Sequence, residues 1–255
     1  MFRRPYYAQN LAAIILLLLV HAWAAAQTTA TKTEPAPAKK PAPNLADFFK
    51  QHWTNRVKEF RDENKRFKTQ KSAVPNVILL GDSITEGFNV KKYFANHPVL
   101  NRGISADVIG NDLPKTDNRG ILRRLDESVF DCVPEDVFVL IGINDLGMGH
   151  KPAVIEAGYR DLLERIKKHA PNARVHVQSV LPTRGNYAKH NDNVNDVNKR
   201  LQKLAQEFGY DYVDLHSHMT DDKGELKKEF TADGLHLKDP GYKVWQAEIN
   251  KKLGW

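Results

Sequence analysis

The stretch Val77-Ile78-Leu79-Leu80-Gly81-Asp82-Ser83-Ile84-Thr85-Glu86-Gly87 passes from an unbroken apolar run, through a glycine, into a polar segment of helical character. An apolar run this short, bounded by Gly81 and without polar alternation, reads as a strand at 77–80 buried on both faces. Ser83 falls where the strand must stop and a helix must start, a position that exposes its hydroxyl and brings backbone amides to the same place.

Outward from that strand the pattern repeats. Apolar runs at 99–104, 137–141, 175–181 and 212–215 predict further strands. Between the later ones, 154–169 and 194–208 place apolar residues every three or four positions, the period of an amphipathic helix. A last helix is predicted at 240–252, begun by Pro240 in its first turn. Buried strands alternating with amphipathic helices give an α/β class with a parallel sheet covered on both faces. In such sheets functional groups gather beyond the carboxyl ends of the strands.

Chemistry-bearing residues do stand there. Gly81-Asp82-Ser83-Ile84 follows the first strand, Asn101-Arg102-Gly103 closes the second, and Gly142-Ile143-Asn144-Asp145 follows the third. A fourth block, Asp233-Gly234-Leu235-His236, lies near the end of the chain. Together they offer a hydroxyl, a backbone amide at a glycine, a side-chain amide, and a carboxylate with an imidazole, the set that acyl transfer needs. A serine hydroxyl is a weak nucleophile without a base to take its proton, and His236 is the candidate base. Asp233, three residues earlier, is placed to reach the imidazole and fix its tautomer. Each residue also has an ordinary structural reading. Ser83 suits a helix N-cap with Glu86 completing a capping box, Asn144 suits a turn, and Asp233 suits a capped turn beside a surface histidine.

In these four ordered blocks the chain resembles the SGNH hydrolases, the GDSL-type lipases and esterases, over residues 74–253. The resemblance implies a three-layer α/β/α fold with five parallel strands in the flavodoxin-like order 2-1-3-4-5. It implies catalytic Ser83, Asp233 and His236, and an oxyanion hole from the amides of Ser83 and Gly103 and the side chain of Asn144. Glycine at 103 also suits a close approach of backbone to substrate. Asp82, Arg102 and Asp145 flank the site as supporting residues that hold loops by hydrogen bonds. No metal or organic cofactor is implied. The expected activity is hydrolysis of acyl esters, short ones such as acetyl groups on carbohydrate, because no long apolar lid is visible. A lysophospholipase or thioesterase of the same family is the alternative, and a non-catalytic glycan-binding module at the cell envelope is a rival of another class.

The remaining sequence sets the context. Arg3 and Arg4, an apolar run at 11–20 and Ala24-Ala25-Ala26 before Gln27 read as a signal peptide over residues 1–26, which makes the protein exported, periplasmic or secreted. A retained membrane anchor is the alternative reading of the same segment. Residues 27–44, built of Thr, Ala, Lys and Pro, read as an extended linker. Residues 45–73 carry Phe48, Phe49, Trp53, Val57, Phe60 and Phe67 near helical spacing, which predicts a helical cap on the catalytic domain at 74–255. A net charge of +7, or +5 without Arg3 and Arg4, is interleaved with acids and forms no basic aromatic platform, so nucleic acid is not an expected partner.

The lone Cys132 excludes an intrachain disulfide and is expected to be inert. His216 and His218 lack further ligands at a recognised metal-site spacing. Asn191, Asn193, Asn195 and Asn198 are expected to serve the start of a helix as caps, and the 107–118 segment is a candidate lining for the substrate cleft.

Overall fold

The apolar run at Val77 forms strand β1 (Val77–Gly81) of a five-stranded parallel sheet in the computed structural model, which describes residues 44–70 and 77–255. β2 (Val99–Gly103) pairs with it on one side and β3 (Asp136–Leu140) on the other, and β4 (Arg174–Gln178) and β5 (Asp211–Val213) complete the order β2-β1-β3-β4-β5. This is the order 2-1-3-4-5 that the resemblance implied. Every residue of β1 and β3 is buried, which a sheet allows only when helices cover both faces. The helices are α1 (Leu45–Gln70), α2 (Ser83–Glu86), α3 (Val90–Tyr93), α4 (Leu125–Ser128), α5 (Ile143–Gly147), α6 (Pro152–His169), α7 (Asn191–Phe208), α8 (Leu215–Met219) and α9 (Asp239–Leu253).

The long helices form where the period predicted them. α6 buries Ile155, Tyr159, Leu162, Leu163 and Ile166 along one stripe, starts at Pro152 and ends on Lys167, Lys168 and His169, whose charges suit a helix carboxyl end. α7 buries Val194, Val197, Leu201 and Leu204 and stops at Gly209, held in the left-handed region at φ 72°. α9 inserts Trp245, fully buried, against Phe88 with ring centroids 5.0 Å apart.

Two local expectations are corrected. Leu215, read as the end of a strand, instead opens α8, because the Asp214 side chain caps that helix by accepting from the Ser217 amide. Asn191 and Asn198 are not helix caps. Asn198 is buried and bonds both the amide (2.8 Å) and the carbonyl (2.9 Å) of Val180, and Asn191 bonds the amide and carbonyl of Thr183, so both sew α7 to the chain leaving β4. Cys132 is buried, and burial pushes its thiol pKa up, away from the reactive thiolate.

The strand register brings three chain ends together. Gly81 is paired with Gly103 on one side and with Leu140 on the other, so β1, β2 and β3 release their chains at one edge. Beside that edge, Trp53, Val57 and Phe60 of α1 make a small second core with Ile104. The segment read as a signal peptide and nearly all of the expected linker lie outside the described residues. Among the described residues no helix is long and apolar enough to cross a membrane.

Candidate active site

Ser83 is the first residue of α2, and Asp82 before it is the cap, its carboxylate accepting from the Ile84 amide at 3.0 Å. The capping box of Ser83 and Glu86, the alternative reading of this serine, therefore does not form. The serine hydroxyl is left for another partner, and Glu86 turns away to other groups described below.

That partner is His236. Its Nε2 lies 3.0 Å from the Ser83 hydroxyl oxygen, and its Nδ1 lies 2.6 Å from Asp233 Oδ2. The other Asp233 oxygen accepts from the amides of Leu235 (2.9 Å) and His236 (2.8 Å), so the loop that carries the imidazole is wound around its own carboxylate. Gly234 makes this turn at φ 91°, with an added Cβ only 2.3 Å from the Arg184 carbonyl oxygen, so no larger residue fits there. Burial works to raise the Asp233 pKa, but the bonds from His236 and the two amides prevail and hold it below its ordinary value. The Asp233 and His236 side chains are about half exposed, so the site is open to solvent.

On the other side of Ser83 the geometry departs from expectation at Gly103. Its amide, expected to point at substrate, donates to Asn101 Oδ1 at 2.8 Å. The need for glycine is also different: a Cβ at 103 would lie 2.1 Å from the Glu86 amide nitrogen, so it is α2, not substrate, that approaches so closely. Three residues on, Ala106 takes a left-handed backbone at φ 59°, uncommon for a residue with a Cβ, and among the described residues its amide has no acceptor. Its neighbours on both sides are pinned. The Ser105 amide and hydroxyl donate to Glu86 Oε2, the amide at 2.6 Å, and the Asp107 carbonyl accepts from Asn144 Nδ2 at 2.9 Å. Asn144 is thereby brought from α5 to the same loop.

Below the site is a buried polar layer that contains the supporting residues Asp82, Arg102 and Asp145 and is centred on Arg124, which sequence reasoning missed. Arg124, wholly buried, donates from Nε to Asp107 at 2.8 Å, from Nη1 to the Arg102 carbonyl and the Ser128 hydroxyl, and from Nη2 to the Gly81 carbonyl. It thus ties the ends of β1 and β2 to the 104–107 loop. Arg102 reaches Glu63 and Asn64 of α1 and stacks on Phe60 at 4.6 Å. Asp145 accepts from the Ile109 amide at 3.2 Å, and burial pushes its pKa up to about 6. Burial pushes Asp82 up to about 7, with Asp107 and Asp145 adding to the effect and the Ile84 amide opposing it. The 107–118 segment starts inside the protein, with Asp107, Val108 and Ile109 fully buried, so this part serves the core rather than an open cleft.

His216 and His218 stay apart from this constellation: the His216 amide bonds the Ser179 hydroxyl, and His218 faces Glu248. Among the described residues no group of His, Cys, Asp and Glu is arranged to hold a metal ion.

Residues 79–244 match the family model for GDSL-like lipases and acylhydrolases. The chain belongs to that family. The chain is 25% identical over 205 residues to the N-acylneuraminate cytidylyltransferase of Escherichia coli O18:K1:H7, covering 76% of this chain but 42% of that protein. It therefore spans less than half of that relative. With the platelet-activating factor acetylhydrolase IB subunit alpha1 of Pongo abelii it shares 24% identity, over 82% of this chain and 86% of that one. The solved structure of an acetyl-xylooligosaccharide esterase from Geobacillus Stearmophilus superposes with a TM-score of 0.55 at 17% identity, covering 70% of this chain and 94% of that one.

Proposed function

We propose that this acylhydrolase is an exported serine esterase acting on short acyl esters, in particular acetyl groups on carbohydrate. The observation that carries the reading is the continuous path Asp233–His236–Ser83, with a local contact of 2.6 Å and one of 3.0 Å between residues 153 positions apart in the chain. Ser83 Oγ attacks the ester carbonyl while His236 Nε2 takes its proton, and Asp233 stabilises the imidazolium that forms. The oxyanion is held by the Ser83 amide, by Asn144 Nδ2 and by the Ala106 amide, which takes the place expected of Gly103. When the tetrahedral intermediate collapses, His236 returns the proton to the leaving alcohol. Water then attacks the acyl-enzyme by the same route and frees the acid.

An open site with half-exposed Asp233 and His236 supports a small acyl group, which needs no apolar sleeve. Two of the similar proteins act, by their names, on acetyl esters, one of them on a xylooligosaccharide. Export rests on the signal-like residues 1–26.

The test is hydrolysis of p-nitrophenyl esters from acetate to decanoate, followed by release of acetate from acetylated polysaccharides. Acetate and butyrate should show the highest kcat/KM, and Ser83→Ala should lose activity by several orders of magnitude while keeping its fold. Residual activity above about a tenth in a folded Ser83→Ala variant would remove the nucleophile assignment. A preference for long chains would move the enzyme to the lysophospholipase or thioesterase side of the family.

A further inference from the structure

Helix α1 lies outside residues 79–244, yet its contacts run to the loop that the catalytic reading places at the oxyanion. The Trp53 indole, 8% exposed, donates from Nε1 to Asp107 Oδ1 at 3.1 Å. One residue earlier, His52 Nε2 is 3.1 Å from both oxygens of Glu86, and Arg56 Nε is 3.1 Å from one of them. That carboxylate is the one that accepts from the Ser105 amide and hydroxyl. Arg56 also reaches the Gly103 carbonyl at 3.5 Å, and Trp53, Val57 and Phe60 pack on Ile104, which is fully buried. From one helix face, then, polar ties reach Gly103, Ser105 through Glu86, and Asp107.

The residue between those last two ties is Ala106, in its left-handed conformation. A strained backbone persists only where its surroundings over-determine it, and here the restraints on both sides lead back to α1. Beyond Asp107 the connection continues, because the Asp107 carbonyl is the acceptor of Asn144 Nδ2. Donors to an oxyanion act through pre-organised placement, and displacement by a fraction of an ångström weakens them without weakening ground-state binding to the same degree.

We propose that α1 is a positioning element of the active site: Trp53, and the His52–Arg56 pair acting through Glu86, hold the 104–107 loop and with it the Asn144 amide in the geometry that the tetrahedral intermediate requires. This rests on the serine-esterase reading above and extends it to residues outside the matched segment. Trp53 and Glu86 touch no reacting atom. Burial works to raise the Glu86 pKa, but His52, Ser105 and Arg56 prevail and keep it below its ordinary value, so the clamp is anionic at neutral pH.

Two substitutions test this in the full chain. Trp53→Phe keeps a buried ring and removes one N–H, and Asp107 Oδ1 retains the Gly120 amide at 2.8 Å. Glu86→Gln keeps the size of the side chain, discharges the clamp and carries the test alone if Trp53→Phe fails to fold. Each should lower kcat for p-nitrophenyl acetate by about 5- to 20-fold with KM within about twofold, the pattern of a lost transition-state interaction. Inhibition by phenylboronic acid, whose adduct with Ser83 is tetrahedral, should weaken in parallel. Lys58→Ala, on the solvent face of α1, should change neither quantity.

A kcat within about twofold of wild type in the folded variants, whatever their melting temperatures, overturns the positioning role and leaves α1 as a cover. A Ser83→Ala variant measured beside them separates the two failures. If it is inactive while the α1 variants are unchanged, only the positioning role falls. If it is active, the esterase reading itself falls, and this inference with it.

Discussion

Replacing Asp233 with alanine should lower kcat by about 10²–10³, and replacing His236 with alanine should lower it more, by roughly 10⁴–10⁶. The difference follows from what each group does. In the proposed mechanism His236 moves the proton, whereas Asp233 fixes the tautomer and meets the charge that appears on the ring during attack. The size of that second effect is set by separation and solvent. At 2.6 Å a carboxylate attracts an imidazolium by about 2 kcal/mol in bulk water and by about 6 kcal/mol at the effective dielectric of a protein surface. Both side chains are about half exposed, so screening keeps the interaction between those limits, near 3–4 kcal/mol, and about 1.4 kcal/mol corresponds to a tenfold change in rate. The assay is kcat for p-nitrophenyl acetate hydrolysis in wild type, Asp233→Ala, Asp233→Asn and His236→Ala, with circular dichroism to confirm the fold. A loss below about threefold in Asp233→Ala, or equal losses in Asp233→Ala and His236→Ala, would refute the division of labour argued from the geometry.

Asn144→Ala should lower kcat by roughly 10²–10³ with little change in KM, and an effect confined to KM would make Asn144 a ground-state binding residue instead. Asp82 should make stability depend on pH. Its folded pKa is raised to about 7, so the folded state holds a proton that the unfolded chain releases, and stability falls as pH rises from the ordinary carboxylate range near 4 to about 7. Asp82→Asn removes that loss, so its melting temperature relative to wild type should be higher at pH 8 than at pH 4, and a difference independent of pH would contradict the argument. N-terminal sequencing of the mature protein should find Gln27 at or near the start, as the proposed export requires, whereas an intact Met1 on a membrane-bound product would mean an anchor.

Much of the architecture was legible because its signals are local. β1 and β3 are continuous apolar runs, and α6 and α7 keep their period for four turns or more, so these elements need no knowledge of partners. The chemistry of Ser83, Asn144, Asp233 and His236 was legible as four ordered blocks, though no spacing says that residues 83 and 236 meet. Signals that depend on distant partners were not legible. Arg124 sits in a run of arginines and acids that reads as a solvated face, and its burial is decided by carbonyls of β1 and β2 and by Asp107. Gly103 was correctly singled out for a close approach, but the approaching backbone is that of Glu86. At the start of α2 only the alternative capping reading was out of phase by one residue: Asp82 takes the cap, and the serine is left free.

The contacts of α1 bear on where the working enzyme begins. A fragment cut at residue 77, close to the start of the matched segment, would keep every residue of the four blocks and the whole sheet. It would also strip the aromatic and aliphatic cover from Ile104 and leave the Arg102 guanidinium without Glu63, Asn64 or the ring of Phe60. Asp107 would lose one of its side-chain donors, and Glu86 would lose both His52 and Arg56. Such a fragment would carry every side chain of the proposed catalytic set over a loosened floor, so for expression, crystallisation or transplantation of the activity the smallest sensible unit starts before Leu45.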